Sequence, residues 1–148
     1  MGEADDSSVD EFAHFIHAQE AVYDRVVREL TEGRKQSHWM WFIFPQLQGL
    51  GHSAMARRFA LQGVDQARRY AAHPVLGHRL RRCTQLVQTV PNLDATAIFG
   101  TPDDLKFRSC LTLFARAQPE SPLFTTALRR FFGGGPDTRT LQLLEAQR

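Results

Sequence analysis

Phe12, Phe15, Ile16, Tyr23, Val26, Val27 and Leu30 recur at three- and four-residue steps, the spacing that gathers side chains on one face of an α-helix. Ser8 followed by Glu11 has capping-box spacing ahead of that series, and Gly33 supplies a stop, so the pattern predicts one helix from about residue 8 to Gly33. The same grammar returns down the chain. Ser53 suits the cap of a short helix ending before Gly63, and Asp65 the cap of another reaching His73. Pro74 fits the first turn of a longer helix on which Leu76, Leu80, Cys83, Val87 and Val90 form the inner face and the arginines point outward. Asp94 begins one more turn that ends at Gly100.

Thr101-Pro102-Asp103-Asp104 combines a capping hydroxyl, a proline and two carboxylates beside the positive end of a helix dipole, and predicts a helix to about Ala117. Leu105, Phe107, Leu111, Leu113, Phe114 and Ala115 spread around most of its circumference, which makes it the expected central helix. Ser121-Pro122 opens a further helix through Phe132, closed by Gly133-Gly134-Gly135, and Asp137 suits the cap of a last one carrying Leu141, Leu143 and Leu144. Nothing repeats internally. The expected fold is mainly α, a single compact multi-helix domain over residues 9–148 with at most a minor strand element, after an unstructured tail over residues 1–8.

One stretch resists the pattern. His38-Trp39-Met40-Trp41-Phe42-Ile43-Phe44-Pro45 has no alternation and no helical period, so a short buried strand and a buried helical turn fit it equally, although Pro45 disfavours helical geometry at Phe44.

With 148 residues, folding buries roughly 68–70% of the surface of the unfolded chain, enough for a real core. Apolar residues at 43% and charged ones at 23% exclude a disordered or fibrous chain. Cys83 and Cys110 lie in apolar runs without the spacing of a metal site or a disulfide scaffold, which predicts buried thiols in a reducing compartment. The acidic N-terminus lacks the pattern of a secretory or mitochondrial signal, and no apolar segment approaches the roughly 20 residues of a membrane span, so the expected location is cytoplasmic.

The net charge of +2 conceals an uneven distribution. Residues 1–32 carry nine acids against Arg25 and Arg28, whereas residues 57–82 carry seven arginines against Asp65 alone. Such asymmetry fits an anionic ligand or nucleic acid, and it equally fits an acidic first helix lying beside the basic segment and offsetting its field.

Chemistry has few places to sit. Lys35, Gln36, Ser37 and His38 precede the aromatic run and Gln46 and Gln48 follow it, an arrangement suited to a pocket rim in which Trp39 and Trp41 stack on a planar ligand. Plain core packing explains the same run. Asp103 and Asp104 suit acid–base or charge-stabilising roles, and helix capping suits them too; at a helix N-terminus they stay ionised, which fits a base and not a proton donor. Lys106, Ser109 and Thr112 follow on an otherwise apolar helix and require partners, from the protein or from a ligand. His38, between the basic loop and the indoles, is the histidine best placed for acid–base work. His14 and His17 lack a third ligand nearby, and no metal and no cofactor is expected. Gly49-Leu50-Gly51 and the Gly133 run lack the lysine and strand of a phosphate loop and read as turns.

Several blocks are familiar: Ala18-Gln19, Val22-Tyr23, Gly33-Arg34-Lys35, Ser37-His38-Trp39-Met40-Trp41-Phe42, Phe44-Pro45-Gln46-Leu47, His73-Pro74-Val75-Leu76-Gly77, Ile98-Phe99-Gly100, Pro102-Asp103-Asp104-Leu105-Lys106 and Leu111-Thr112-Leu113-Phe114. Together they resemble the bacterial family catalogued as domain of unknown function eighteen-ten, often mislabelled calpastatin, from about Phe12 to Leu144. The resemblance implies a small, mostly helical fold without an established activity, and it does not imply calpain inhibition. In element order the chain is also similar, more loosely, to the NADAR superfamily, whose members act on derivatives of NAD and ADP-ribose. It shows no full NADAR motif, and Ser109-Cys110 stand where two serines are usual.

These readings converge on one expectation and two rivals. Lys35, His38, Trp39, Trp41 and Gln46 are expected to meet Asp103, Asp104 and Lys106 in one cleft, with Ser109 and Thr112 nearby, that binds a small polar, nucleotide-like ligand; turnover is left open, and if the ligand is turned over, N-glycosidic hydrolysis of an ADP-ribose derivative fits best. One rival is a non-catalytic module whose Arg57–Arg82 segment binds nucleic acid. The other is a protein–protein adaptor presenting Phe124, Phe131 and Phe132. The oligomeric state is open.

Overall fold

The apolar series that opens the chain folds as two helices, α1 (Gly2–Glu20) and α2 (Tyr23–Glu32), with a turn at Ala21 and Val22 in place of the expected continuous helix. Neither glycine nor proline marks the break; tertiary packing does. Phe12 and Phe15 stack edge-on against Tyr70, while Val26 and Leu30 belong to a helix packed along a different neighbour, and one straight rod does not serve both directions. Gln19, 1% exposed, sits at the bend and donates to the Phe42 carbonyl and the Tyr70 hydroxyl.

The structure, a computed structural model, describes residues 2–147, and the side chains from Glu11 to Gln147. Residues 2–8, expected as an unstructured tail, are described as the first part of α1, while the Ser8 side-chain cap falls outside the described side chains.

The aromatic run resolves as helix: α3 (Met40–Ile43) is a single turn, and Phe44 leaves it at φ −120°, ψ 76°, the non-helical geometry that Pro45 requires. Ser53 caps α4 (Ala54–Arg58) by accepting from the Ala56 N–H. The expected Asp65 cap is corrected. α5 (Val64–Ala72) starts at Gly63, and Asp65 lies inside its first turn, paired with Arg68. α6 (Leu76–Thr89) begins after Pro74, with the His73 Nδ1 accepting from the Val75 and Leu76 N–H groups; burial holds that imidazole below its ordinary pKa, in the neutral form that accepts.

Asp94 caps α7 (Ala95–Phe99) as expected, through the Ala97 N–H. α8 (Asp103–Ala117) starts one residue later than predicted, because the Thr101 hydroxyl donates to Asp104 instead of capping the helix. α9 (Pro122–Phe132) ends on left-handed Gly133, and Asp137 caps α10 (Thr138–Ala146) through the Thr140 N–H.

Of these ten helices, with no strand among the described residues, α8 lies at the centre and contacts α3, α5, α7, α9 and α10. Phe107, Cys110, Leu111, Leu113 and Phe114 on α8 are fully buried, whereas Leu105 is 53% exposed and not part of the core. Cys83 and Cys110 are buried free thiols. One parallel bridge, Leu47 to Leu61, is the sole pairing of extended segments described; it ties the loop after α3 to the α4–α5 connection through Gln48 N–H to Leu61 O and Leu61 N–H to Gln46 O. No described helix is long and apolar enough to cross a membrane.

Among the described residues, three of the seven arginines in the basic segment are paired with carboxylates of the chain. Arg69 makes a forked pair with Glu11, Arg79 reaches Glu20 and lies over the Tyr23 ring, and Arg68 meets Asp65. The acidic first helix thus lies beside the arginines and offsets part of their field.

Candidate functional site

The site begins with how α2 ends. Gly33, at φ 78°, turns the chain so that its own N–H and that of Arg34 close on the Leu30 and Glu29 carbonyls, and Lys35 N–H then reaches the Ile98 carbonyl of α7. Glu29, 6% exposed, fixes the next four residues. Its carboxylate accepts from the Gln36 N–H at 2.8 Å, the Ser37 N–H at 3.1 Å, the Ser37 hydroxyl at 2.6 Å and the Trp39 indole N–H at 3.0 Å. Burial pushes this carboxyl up, but the four donors outweigh it and bring its pKa down from 4.5 to about 2.

With Trp39 held inward at 1% exposure, the turn of α3 that follows brings Trp41 to the half-buried surface. From the other side the first turn of α8 presents Asp103 and Lys106, three residues apart and so on one face. Three charges meet there. Lys35 Nζ lies 2.8 Å from Asp103 Oδ2, and Lys106 Nζ lies 3.0 Å from Asp103 Oδ1. The lysine side chains keep 7% and 25% of their exposure and the carboxylate 19%, so one partly dehydrated carboxylate carries two ammonium groups and the cluster keeps a positive excess. Burial raises the Asp103 pKa, and the two lysine hydrogen bonds and charges more than reverse it, holding the group ionised below the usual carboxylate range. Lys35 also donates to the Ser37 carbonyl at 2.7 Å and sits 5.0 Å above the Trp39 ring; Lys106 sits 4.7 Å above the Trp41 ring.

These groups line a hollow of about 250 Å³ together with His38, Met40, Ser53 and Met55. The expected convergence of the indole stretch with the start of the central helix is therefore present for Lys35, His38, Trp39, Trp41, Asp103 and Lys106. His38 is exposed at the rim. Trp39 forms a wall whose N–H is already engaged by Glu29, which leaves Trp41 as the indole available to stack. Gln46 and Ser109 do not line this hollow. They line a second one of about 390 Å³ on the other side of Trp41 and Lys106, which border both.

Asp104 and Thr112 join neither. Asp104, 8% exposed, accepts from the Thr96 hydroxyl at 2.6 Å, the Thr101 hydroxyl at 3.4 Å and the Leu105 N–H at 2.8 Å, and so ties α7 to α8. Thr112 donates to the Arg108 carbonyl and accepts from the Asp137 N–H, fixing α10 to α8.

Two wider depressions, of about 480 and 550 Å³, lie where the α4–α5 region meets α10. They lack a convergent charge cluster, and Gln62, Gln66 and Gln147 there bond to one another. The residue that sequence reasoning missed is Glu29. Its signal was available: it stands between Val26 and Leu30 on the inner side of α2, where an acid requires dedicated donors. Gly51 was read as a turn residue alone, yet a Cβ there would fall 2.7 Å from both the Trp41 ring and Ala56 Cβ, so it also leaves room for the indole.

Fold and site together define an all-helical single-domain protein with a lysine-bridged carboxylate beside a half-exposed indole. Residues 9–144 match the family described as protein of unknown function (DUF1810), and the chain belongs to that family. A solved structure, the conserved hypothetical protein Rv1873 from Mycobacterium tuberculosis, is similar at 47% identity with a TM-score of 0.90, over 91% of this chain and 96% of that one. No curated protein matches.

Proposed function

We propose that the first hollow binds a small anionic, nucleotide-like ligand and that its chemistry is cleavage of the N-glycosidic bond of an ADP-ribose derivative. The carrying observation is the charge arrangement: two ammonium groups on one carboxylate, beside a half-exposed indole, at the edge of a small cavity. A positive excess in a partly dehydrated site favours phosphate, the Trp41 face suits a planar base, and Lys106, the more exposed lysine, meets the phosphate. Asp103 is ionised and cannot donate a proton; with Lys106 turned to the phosphate, the carboxylate oxygen it leaves fits stabilisation of the positive charge that grows on the sugar as the bond from its anomeric carbon to the base nitrogen breaks. A water oxygen bonds to that carbon, one of its protons passes to the leaving base, and His38 at the rim is the titratable group in position to relay it. The looser similarity to the NADAR superfamily supports the same substrate class.

Calorimetric titration and turnover assays with AMP, ADP-ribose and ADP-ribosyl conjugates test this reading. Binding that weakens in Lys106→Met is expected, as is loss of kcat in Asp103→Asn with anion affinity held or raised, since that change removes a negative charge from the site. The absence of both heat and product at millimolar ligand refutes it.

The nucleic-acid reading rests on arginines of which Arg68, Arg69 and Arg79 have carboxylate partners in the chain. It predicts affinity that falls steeply with salt, and a gel-shift series without binding at low ionic strength removes it. The adaptor reading meets a buried Phe124, at 1% exposure, and half-buried Phe131 and Phe132 rings lying under Arg130 and Arg108.

A further inference from the structure

Among the described residues, two buried side-chain polar atoms lack a hydrogen-bond partner, the Tyr23 hydroxyl and the Gln46 amide nitrogen. Gln46 is 3% exposed, is held by the bridge to Leu61 through its backbone carbonyl, and lines the second hollow. A buried N–H donor without a protein acceptor costs the folded state the hydration it has lost, and the hollow beside Gln46 is the place from which a water or a ligand oxygen supplies one. The other groups around this hollow say what kind of acceptor fits. The Ser109 hydroxyl donates to the Leu105 carbonyl, and the Asp137 carboxylate is engaged in capping α10. The unspent donors are the Gln46 amide and Arg139, which is exposed and has no ion pair among the described residues, and Lys106 adds charge from the shared wall.

From this we infer that the second hollow is a subsite for an anionic, acceptor-rich group, a phosphate or a carboxylate, belonging to the same ligand that occupies the first hollow. The ligand is then two-headed and straddles the Trp41 edge, one head on Lys35, Asp103 and Lys106 and the other on Gln46 and Arg139. That the heads belong to one molecule rests on the function proposed above; the anion preference of the second hollow does not.

The test is side-chain amide NMR on the isotope-labelled full chain, with the Gln46 NH₂ pair assigned by its disappearance in Gln46→Leu. The probes are ADP-ribose, AMP, inorganic phosphate and acetate, each at millimolar concentration. The Gln46 pair is expected to move with ADP-ribose and with phosphate, and to keep its response to phosphate in Lys35→Met. That last result upholds the second hollow even where nucleotide binding fails. A response to acetate and not to phosphate assigns the anion as a carboxylate. Gln46→Leu is expected to raise the thermal midpoint, since it removes an unsatisfied amide, while weakening ADP-ribose by about tenfold, the scale of one hydrogen bond to a charged group, and leaving AMP unchanged. Gln46→Glu, which puts a negative charge in the hollow, is expected to abolish the phosphate response. A Gln46 pair unmoved by every probe, or ADP-ribose affinity unchanged in Gln46→Leu, overturns the proposal.

Discussion

Glu29→Gln is the perturbation whose cost can be worked furthest. The carboxylate is bound by four donors in the fold and by water in the unfolded chain, and its pKa falls from 4.5 to about 2 on folding. A gap of about 2.5 pH units at about 1.4 kcal/mol each corresponds to about 3 kcal/mol of stability carried by the ionised group. Because the folded value is the lower one, this contribution is complete above the unfolded value of 4.5 and is lost as the pH falls through the folded value of about 2. Glutamine keeps the shape but turns an N–H₂ toward groups that are themselves donors. At neutral pH the variant is expected to lose about 3 kcal/mol, or about 6–12 °C of melting temperature in a chain of this size. Urea unfolding of both proteins across pH 3–7 gives the second reading: the difference between them stays constant above about pH 5 and has fallen to about half near pH 3. A penalty below about 1 kcal/mol, or a difference that does not narrow in acid, refutes the claim that these hydrogen bonds hold the Lys35–Trp39 loop.

Other substitutions separate scaffold from site. Asp104→Asn is expected to destabilise the chain by about 1–3 kcal/mol in thermal melts while leaving calorimetric ADP-ribose affinity unchanged, because its oxygens serve Thr96, Thr101 and the Leu105 N–H. Lys106→Met should do the opposite, shifting stability by less than about 1 kcal/mol and weakening the ligand. Gly77→Ala puts a Cβ 2.0 Å from the Ala71 carbonyl oxygen, backbone against backbone at the α5–α6 junction, and is expected to cost more than about 3 kcal/mol or to leave the protein insoluble on expression. Breaking the Glu11–Arg69 pair with Glu11→Gln should change the unfolding free energy by less than about 1 kcal/mol despite its forked geometry, since Arg69 keeps 55% of its side-chain exposure.

Helices announced by local chemistry were legible in the sequence. The caps at Ser53, Asp94 and Asp137, the Gly133 stop and the inner face of α6 lie where spacing placed them, because each depends on residues within one or two turns. Features set by distant neighbours were not legible. The bend at Val22 answers to where Tyr70 and α6 stand, and Asp65 yields its cap position to Gly63 at a junction shaped by the bridge to Leu47. At the site, residue types pointed to the meeting of Lys35, Trp41, Asp103 and Lys106, but neighbours in sequence did not tell Asp103 from Asp104. One residue along a helix turns a side chain by about 100°, which sends one carboxylate to the lysines and the other to α7. Glu29 left one local mark, its place between Val26 and Leu30 on the inner side of α2, but the donors that satisfy it come from the loop that follows and no spacing announces them.

Trp41 is a single ring with a chamber on either flank, fitted against the bare Cα of Gly51 and under the Lys106 ammonium. A partition one aromatic ring thick cannot shift for one tenant without resizing the room next door. Occupants of the two sides therefore feel each other with no helix having to move, and by thermodynamic necessity whatever the first arrival does to the welcome of the second is returned in equal measure.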